Sequence, residues 1–210
     1  MKRSFAFFAL VCAILFGCVA TDRCTNLKAL KKDVKKRVKE LKKEGWKPLA
    51  SSSTLEYAFS KYRTYLEEDS ENRIELVGIA IGKNVKIGRE NAIMNGITSY
   101  ASRAKAQVVG KMKTLLSSSA TDAPEEEIDK FGAAYQSAVN TKIAGLVKQH
   151  LVLVKDNKDG SKELNVYMSI DEAQAKKARE AAALEAKKNA ALGDLSQKVE
   201  EFIGEPVEEY

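Results

Sequence analysis

The stretch HLVLVKDNKDGSKELNVYMSID, residues His150 to Asp171, has the pattern of a β-hairpin. Its turn signal is Asp159-Gly160, which lies between two runs of β-forming residues. Apolar and more polar residues alternate along the second run: Leu164, Asn165, Val166, Tyr167, Met168, Ser169 and Ile170. This alternation predicts a strand with one buried face and one wetter face.

A third strand is predicted over Arg73 to Ile87. Its β-forming residues are apolar on both faces, which is typical of a central strand that is covered on both sides. Gly78 and Gly82 lie within this run and indicate either a β-bulge or the close approach of a helix.

Helical periodicity fills most of the remaining chain. Helices are predicted over Leu55 to Glu67, from about Arg89, from Pro124, and from an Asp171 N-cap to about Ile203. The apolar face of the third is Ile128, Phe131, Tyr135, Ala138, Val139, Ile143 and Leu146. The apolar face of the last is Ala178, Ala182, Ala186 and Leu192, and we expect it to pack on its own domain.

The order α-α-β-α-α-β-β-α predicts an α+β fold. We expect a small, mainly antiparallel three-stranded sheet packed by long helices on one face, with an N-terminal basic helix and a long C-terminal helix. The predicted organisation is a signal peptide (1–17), a tether (18–26), a basic amphipathic helix (27–47), an α+β core (48–172), an Ala-rich helix (173–203) and an acidic tail (204–210).

The first residues have the pattern of a lipoprotein-type export signal, with Lys2 and Arg3 before the apolar run Ser4 to Phe16. That run is shorter than the roughly 20 residues of a spanning helix. Cleavage before Cys18 would follow a lipobox-like Leu15-Phe16-Gly17 and leave Cys18 as the lipid attachment site. Phe16 departs from that pattern, and cleavage after Ala20 remains the alternative.

The chain has three cysteines, Cys12, Cys18 and Cys24. Cys12 leaves with the signal, and an acylated Cys18 would leave Cys24 without an intramolecular partner. If Cys18 stayed unmodified, a Cys18–Cys24 bridge would be conceivable. Either way, the fold is not expected to depend on disulfides.

The positive charge of the chain is concentrated in one segment. The net charge is +6, and residues 28–47 hold ten Lys or Arg against three Asp or Glu. A helical stripe of Leu27, Leu30, Val34, Val38 and Leu41 runs through this segment. Gly45 is placed as its C-cap, and Pro48 follows as a stop. The lysines on the other faces are Lys28, Lys31, Lys32, Lys35, Lys36, Lys39, Lys42 and Lys43.

Two interpretations of this helix stay open. The lysines form an anionic-surface site for lipid headgroups or envelope polymers, or they are the solvated face of a helix whose apolar stripe docks on the domain. Nucleic acid is not expected as a partner, because no aromatic residues interleave the lysines.

No catalytic or metal-binding signature is found. His150 is the only histidine, so there is no Cys/His metal cluster, and we expect a structural role for it. Asp156 to Gly160 lacks calcium-loop spacing and indicates a hairpin turn. GIAIGKN, Gly78 to Asn84, lacks phosphate-loop spacing. We therefore expect no enzymatic activity and no cofactor.

Three segments together resemble a bacterial envelope family. They are LKKEGWK (Leu41 to Lys47), SRAKAQVVGKM (Ser102 to Met112) and the closing ELNVYMSID. Over Leu27 to Lys187 the chain is similar to the twenty-kilodalton lipoprotein ("Lpp-twenty") type. The resemblance implies lipidation at Cys18 and a fold like that of the N-terminal domain of flagellar assembly protein T, and it implies no enzymatic activity.

These observations lead to two functional hypotheses. The first is a non-catalytic, exported protein that is anchored by lipid in the cell envelope, on the periplasmic side of the outer membrane, and that binds an envelope protein or copies of itself. The alternative is a binder of anionic envelope polymers or of the membrane surface through the basic helix 27–47.

Overall fold

The computed structural model describes residues 29–49, 53–118, 125–188, 199 and 202–207. The elements in chain order are α1 (29–43), β1 (Lys47–Pro48), α2 (Leu55–Glu67), β2 (Arg73–Gly82), α3 (Val85–Ser118), α4 (Glu125–Ile143), β3 (Lys148–Asp156), β4 (Lys162–Asp171) and α5 (Glu172–Lys187). The α+β class predicted from the sequence is confirmed.

The predicted hairpin forms the centre of the sheet. Strands β3 and β4 pair antiparallel, and Gly160 adopts a φ of 78° in the turn between them. The sheet has four strands in the order β1-β3-β4-β2, all antiparallel. The expected count of three was wrong because Lys47–Pro48 also pairs with β3. A two-residue strand that contains proline carries almost no β signal.

Helices cover both faces of the sheet rather than the one face expected. Helices α3, α4 and α5 pack on Leu76, Val166 and Met168. Helices α1 and α2 pack on the opposite face, on Leu151, Leu153 and Tyr167. The face of β4 that the alternation predicted to be wetter is therefore buried: Asn165, Tyr167 and Ser169 are all at most 8% exposed, and Tyr167 packs with α1 and α2. The alternating pattern of β4 could not predict this burial, because the burial depends on the packing of α1 and α2 from distant parts of the chain.

Strand β2 differs most from its prediction. It lies at the edge of the sheet and ends at Gly82, whereas a central strand reaching Ile87 was expected. Helix α3 begins at Val85 rather than near Arg89, because the Asn84 side chain accepts hydrogen bonds from the backbone N–H groups of Lys86 (2.9 Å) and Ile87 (3.1 Å). A side-chain acceptor at this position starts a helix.

The face of β2 that was expected to be covered is open at one end. Val77, Ile79 and Ile81 are 39, 51 and 64% exposed, on the same face as α1 and α2. The Ile79 carbonyl accepts a hydrogen bond of 2.8 Å from Asn95 Nδ2. We call these three side chains the β2 ridge.

Gly78 marks the close approach of a helix, one of the two alternatives that its sequence left open. A Cβ atom on Gly78 would lie 1.8 Å from the carbonyl oxygen of Ala92 in α3. The β-bulge of this sheet lies elsewhere, in β3 between Gln149 and Leu151.

The C-terminal helix is shorter than predicted. Helix α5 ends at Lys187, and Arg179 Nε lies 3.4 Å from the Ile203 carbonyl oxygen. In one continuous helix Arg179 and Ile203 would be about 36 Å apart. The prediction of a single helix that continues to Ile203 is therefore wrong. The expected packing of Ala178, Ala182 and Ala186 on the domain is confirmed, whereas Leu192 lies outside the described residues.

Arg179 joins this end of the chain to the core and was not anticipated. Its side chain is 1% exposed. It donates to Tyr100 Oη (2.5 Å), Glu172 Oε1 (2.6 Å) and the Glu205 carbonyl (2.9 Å). A buried guanidinium is stable only when its donors are paired in this way.

Candidate functional site

Two of the predicted site residues, Cys18 and Lys28, lie outside the described residues, as do the signal segment and the tether. The other seven predicted lysines lie on α1. These lysines form one surface of the molecule, and a separate cleft, which the sequence did not indicate, forms a second candidate site.

Helix α1 docks through its apolar stripe. Val34 and Val38 are 3% exposed and Leu41 is fully buried. The helix ends in a Schellman arrangement: the Gly45 N–H donates to Lys42 O, and the Trp46 N–H donates to Leu41 O. Gly45 has a φ of 86°, which confirms its predicted role as the C-cap.

The lysines of α1 lie on one side of the helix. Successive residues of an α-helix are rotated by about 100°, so these side chains fall within an arc of roughly 140°. All of them are exposed, and within the described part of the chain none of them has an ion-pair partner. We call this surface the lysine face; it consists of Lys31, Lys32, Lys35, Lys36, Lys39, Lys42 and Lys43.

The opposite flank of α1 has mixed charge. It carries Asp33, Arg37, Glu40 and Glu44, and Arg37 pairs with Glu40 at 3.4 Å. The exposed lysines of α1 thus lie on one side of the helix, and its acidic residues lie on another.

A cleft of about 700 Å³ lies on the same side of the sheet as α2. It is bounded by α2, by the start of β3, by the loop after β1 and by the first turns of α3. We call it the His150 cleft. Its charged and aromatic lining residues are Tyr57, Lys61, Tyr62, Tyr65, Arg89, Lys148 and His150.

The β-bulge sets the orientation of His150. In a regular strand, side chains alternate between faces, so His150 and Leu151 would point to opposite sides. The register shift between Gln149 and Leu151 places both on the α2 side. The imidazole centroid lies 5.2 Å from the Tyr62 ring and 4.6 Å from the Tyr65 ring. Bulges commonly redirect a side chain in this way.

His150 is held in its neutral form. Burial, together with the charges of Lys148 and Arg73, lowers its pKa to about 4. Its Nε2 atom lies 2.7 Å from Ser169 Oγ. The serine is 2% exposed, so this contact fixes the imidazole inside the fold and does not present a nucleophile to a substrate.

The cations of the cleft are not neutralised by carboxylates. Within the described residues, Lys61, Arg89 and Lys148 form no ion pair, and no acidic residue lines the cleft. The Arg89 Nε and Nη2 atoms both donate to Gln149 Oε1, at 3.2 and 2.6 Å. Lys148 Nζ lies 4.5 Å from the Tyr65 ring centroid. The cleft is therefore a positive, partly aromatic concavity.

The carboxylates of the hairpin turn bind their own neighbours. Asp156 pairs with Lys47 (2.5 Å) and with Lys162, which lowers the pKa of Asp156 to about 2. Asp159 Oδ1 accepts from the Ser161 N–H (3.0 Å) and Oγ (2.7 Å). Across the described residues there is no cluster of three potential metal ligands. The segment Asp156 to Gly160 is the hairpin turn that its sequence predicted.

The cleft was missed because its parts come from distant segments. Tyr57, Lys61 and Tyr65 recur every four residues on α2, and this spacing was the available signal. Arg89 and Lys148 join them only when α3 and β3 pack at the sheet.

Comparison of the chain with protein-family models, with curated proteins and with solved structures finds no match. Across the described residues, every helix is too short or too polar to cross a membrane.

Proposed function

We propose that this chain is a non-catalytic, lipid-anchored protein of the bacterial cell envelope and that its lysine face binds an anionic membrane surface. The observation that carries the proposal is the separation of α1 into a buried apolar stripe and an exposed face of lysines without ion-pair partners. The buried stripe agrees with the interpretation of α1 as a docking helix, and the proposal adds that its exposed lysines also bind an anionic surface.

The position of α1 in the chain supports the same proposal. A tether over residues 18–26 would extend at most about 30 Å, so an acylated Cys18 would hold α1 close to the bilayer. Each lysine near an anionic surface contributes about 1 kcal/mol of attraction. The resemblance of LKKEGWK and SRAKAQVVGKM to segments of envelope lipoproteins agrees with this placement.

The lysine face is tested by charge reversal. We expect Lys35, Lys36, Lys39 and Lys42→Glu together to weaken binding to phosphatidylglycerol-containing vesicles more than tenfold, since each site loses about 1 kcal/mol or more. Co-sedimentation of the chain carrying Cys18→Ser measures this binding without a contribution from the acyl group. The difference should shrink at high salt, where charges are screened.

The matched control reverses four exposed lysines elsewhere, Lys83, Lys86, Lys176 and Lys177, with the same change in net charge. The control should bind the vesicles much better than the α1 variant. Equal loss in both variants would mean that only net charge matters, and equal retention would refute the membrane-binding role of α1.

A second candidate function is assembly with copies of itself, and the β2 ridge favours it. Three neighbouring apolar side chains on one face of an edge strand are unusual on a monomer surface unless they take part in an interface. The same ridge on two copies could pack face to face about a two-fold axis.

A further inference from the structure

We propose that the His150 cleft binds a sugar that carries an anionic group, either a carboxylate or a phosphate. This site is separate from the lysine face of α1, because its cations belong to α2, α3 and β3. It therefore gives the protein a small-molecule ligand in addition to the surface binding proposed above.

The anionic part of the ligand follows from the charge of the cleft. Lys61, Arg89 and Lys148 point to one concavity in which the described lining contains no carboxylate. A carboxylate or phosphate group placed there would supply the missing countercharge through charge-assisted hydrogen bonds.

Arg89 is oriented before any ligand arrives. Its Nε and Nη2 atoms both donate to Gln149 Oε1, which is neutral and leaves the positive charge uncompensated. A guanidinium held by a neutral amide keeps its remaining N–H donors available for an oxyanion. Preorganisation of this kind reduces the entropy lost on binding.

The sugar part of the ligand follows from the aromatic and neutral lining. The Tyr57 ring is 61% exposed at the rim of the cleft, and Pro48, Leu49 and Val152 add apolar surface. Such surface suits the apolar face of a sugar ring, which rigid aromatic side chains contact at low entropic cost. The His150 imidazole is neutral, so it adds a polar group without further charge.

The size of the cleft agrees with a ligand of this class. Its volume of about 700 Å³ lies within the range of small-molecule sites, about 300 to 1,000 Å³. An ordinary inorganic anion would fill only a small part of this volume.

The test measures binding of four probes by calorimetry or NMR titration to the chain carrying Cys18→Ser. The probes are glucuronate, glucose 6-phosphate, glucose and inorganic phosphate. We expect glucuronate or glucose 6-phosphate to bind and to exceed both glucose and inorganic phosphate. The stronger of the two identifies carboxylate or phosphate as the preferred anion.

Two variants connect the binding to the cleft. Arg89→Gln combined with Lys148→Gln should weaken binding of the anionic sugars at least about tenfold, as expected for lost hydrogen bonds to charged groups. Tyr57→Ala should reduce the preference for glucose 6-phosphate over inorganic phosphate. Lys86→Gln, an exposed change near the start of α3, is the control and should leave binding unchanged.

Several results would overturn the proposal. They are the absence of binding by both anionic sugars, unchanged binding in the Arg89 and Lys148 double variant while its circular dichroism shows an intact fold, and inorganic phosphate binding as tightly as glucose 6-phosphate. The lysine-face variant should bind the anionic sugars normally, so failure of the cleft and failure of the membrane proposal are distinguishable.

Discussion

At the scale of single residues, the absence of a side chain at one glycine allows a helix and a strand to approach closely. Gly78 lets the backbone of α3 touch β2, because a Cβ there would lie 1.8 Å from the Ala92 carbonyl oxygen. Gly110 lies in the same helix, but a Cβ on it would meet nothing within 4 Å. Packing therefore requires a glycine at position 78. Gly110 makes no such close contact, and it destabilises α3 because glycine loses more conformational entropy in a helix than other residues do.

These two glycines give a paired prediction. We expect Gly78→Ala to lower the free energy of unfolding by about 3 kcal/mol or more, since a backbone oxygen cannot move aside as a side chain can. We expect Gly110→Ala to raise it by up to about 1 kcal/mol, because alanine is the better helix former. Urea denaturation measures both changes, and a neutral Gly78→Ala would contradict the close approach of α3.

At the scale of elements, aliphatic side chains are buried in α1 but exposed in the β2 ridge. The stripe of α1 is buried because the helix lies across the sheet, so Val34 and Leu41 lose their contact with water. The β2 ridge stays exposed because α1 and α2 cover β3 and β4 and reach only the start of β2, where Tyr62 donates to Glu75 (2.6 Å). The uncovered ridge is the basis of the proposed self-association.

The role of the ridge is tested by Ile79→Lys. If two copies pack through β2, sedimentation velocity of the Cys18→Ser chain should show a dimer that forms with increasing concentration, and Ile79→Lys should abolish it by placing charge at the centre of the interface. Ile87→Lys, at a similarly exposed position on α3, is the matched control and should still dimerise. A chain that stays monomeric at every concentration would rule out self-association through the ridge.

At the scale of the whole molecule, the lysine face and the β2 ridge lie on the α1 and α2 side of the sheet, whereas the His150 cleft is lined by α2 and β3 and also by Arg89 of α3. The opposite side is a continuous core under α3, α4 and α5. The candidate binding surfaces thus lie mainly on the α1 and α2 side. An anchor preceding α1 would bring that side toward the membrane.

The anchor itself gives the prediction at this scale. Cys18→Ala should abolish metabolic labelling with fatty acid and release the protein from membranes, since no thiol remains at the acylation position. Cys24→Ala is the control and should keep both the label and the membrane association. A label that persists in Cys18→Ala would contradict acylation at Cys18. An unlabelled mature protein that begins at Thr21 would show that cleavage follows Ala20 instead.

Much of the fold could be predicted from local pattern. Alternation and the Asp159-Gly160 turn identified the hairpin, and periodicity identified α2 and α4 and the stripe of α1. The lysines of the candidate surface were also named in advance, because a helix of known period determines which side chains share a side. These features depend on residues close together in the chain.

The remainder depends on contacts between distant segments. The sequence alone determined the α+β class, the hairpin and the charge of α1, because short-range sterics and periodicity encode them. Only the tertiary structure decided that β2 is an edge strand, that α1 and α2 cover the second face, and that Lys61, Arg89 and His150 share one cleft. Those outcomes follow from how whole surfaces pack, and the pattern of a single segment cannot specify which surface will cover it.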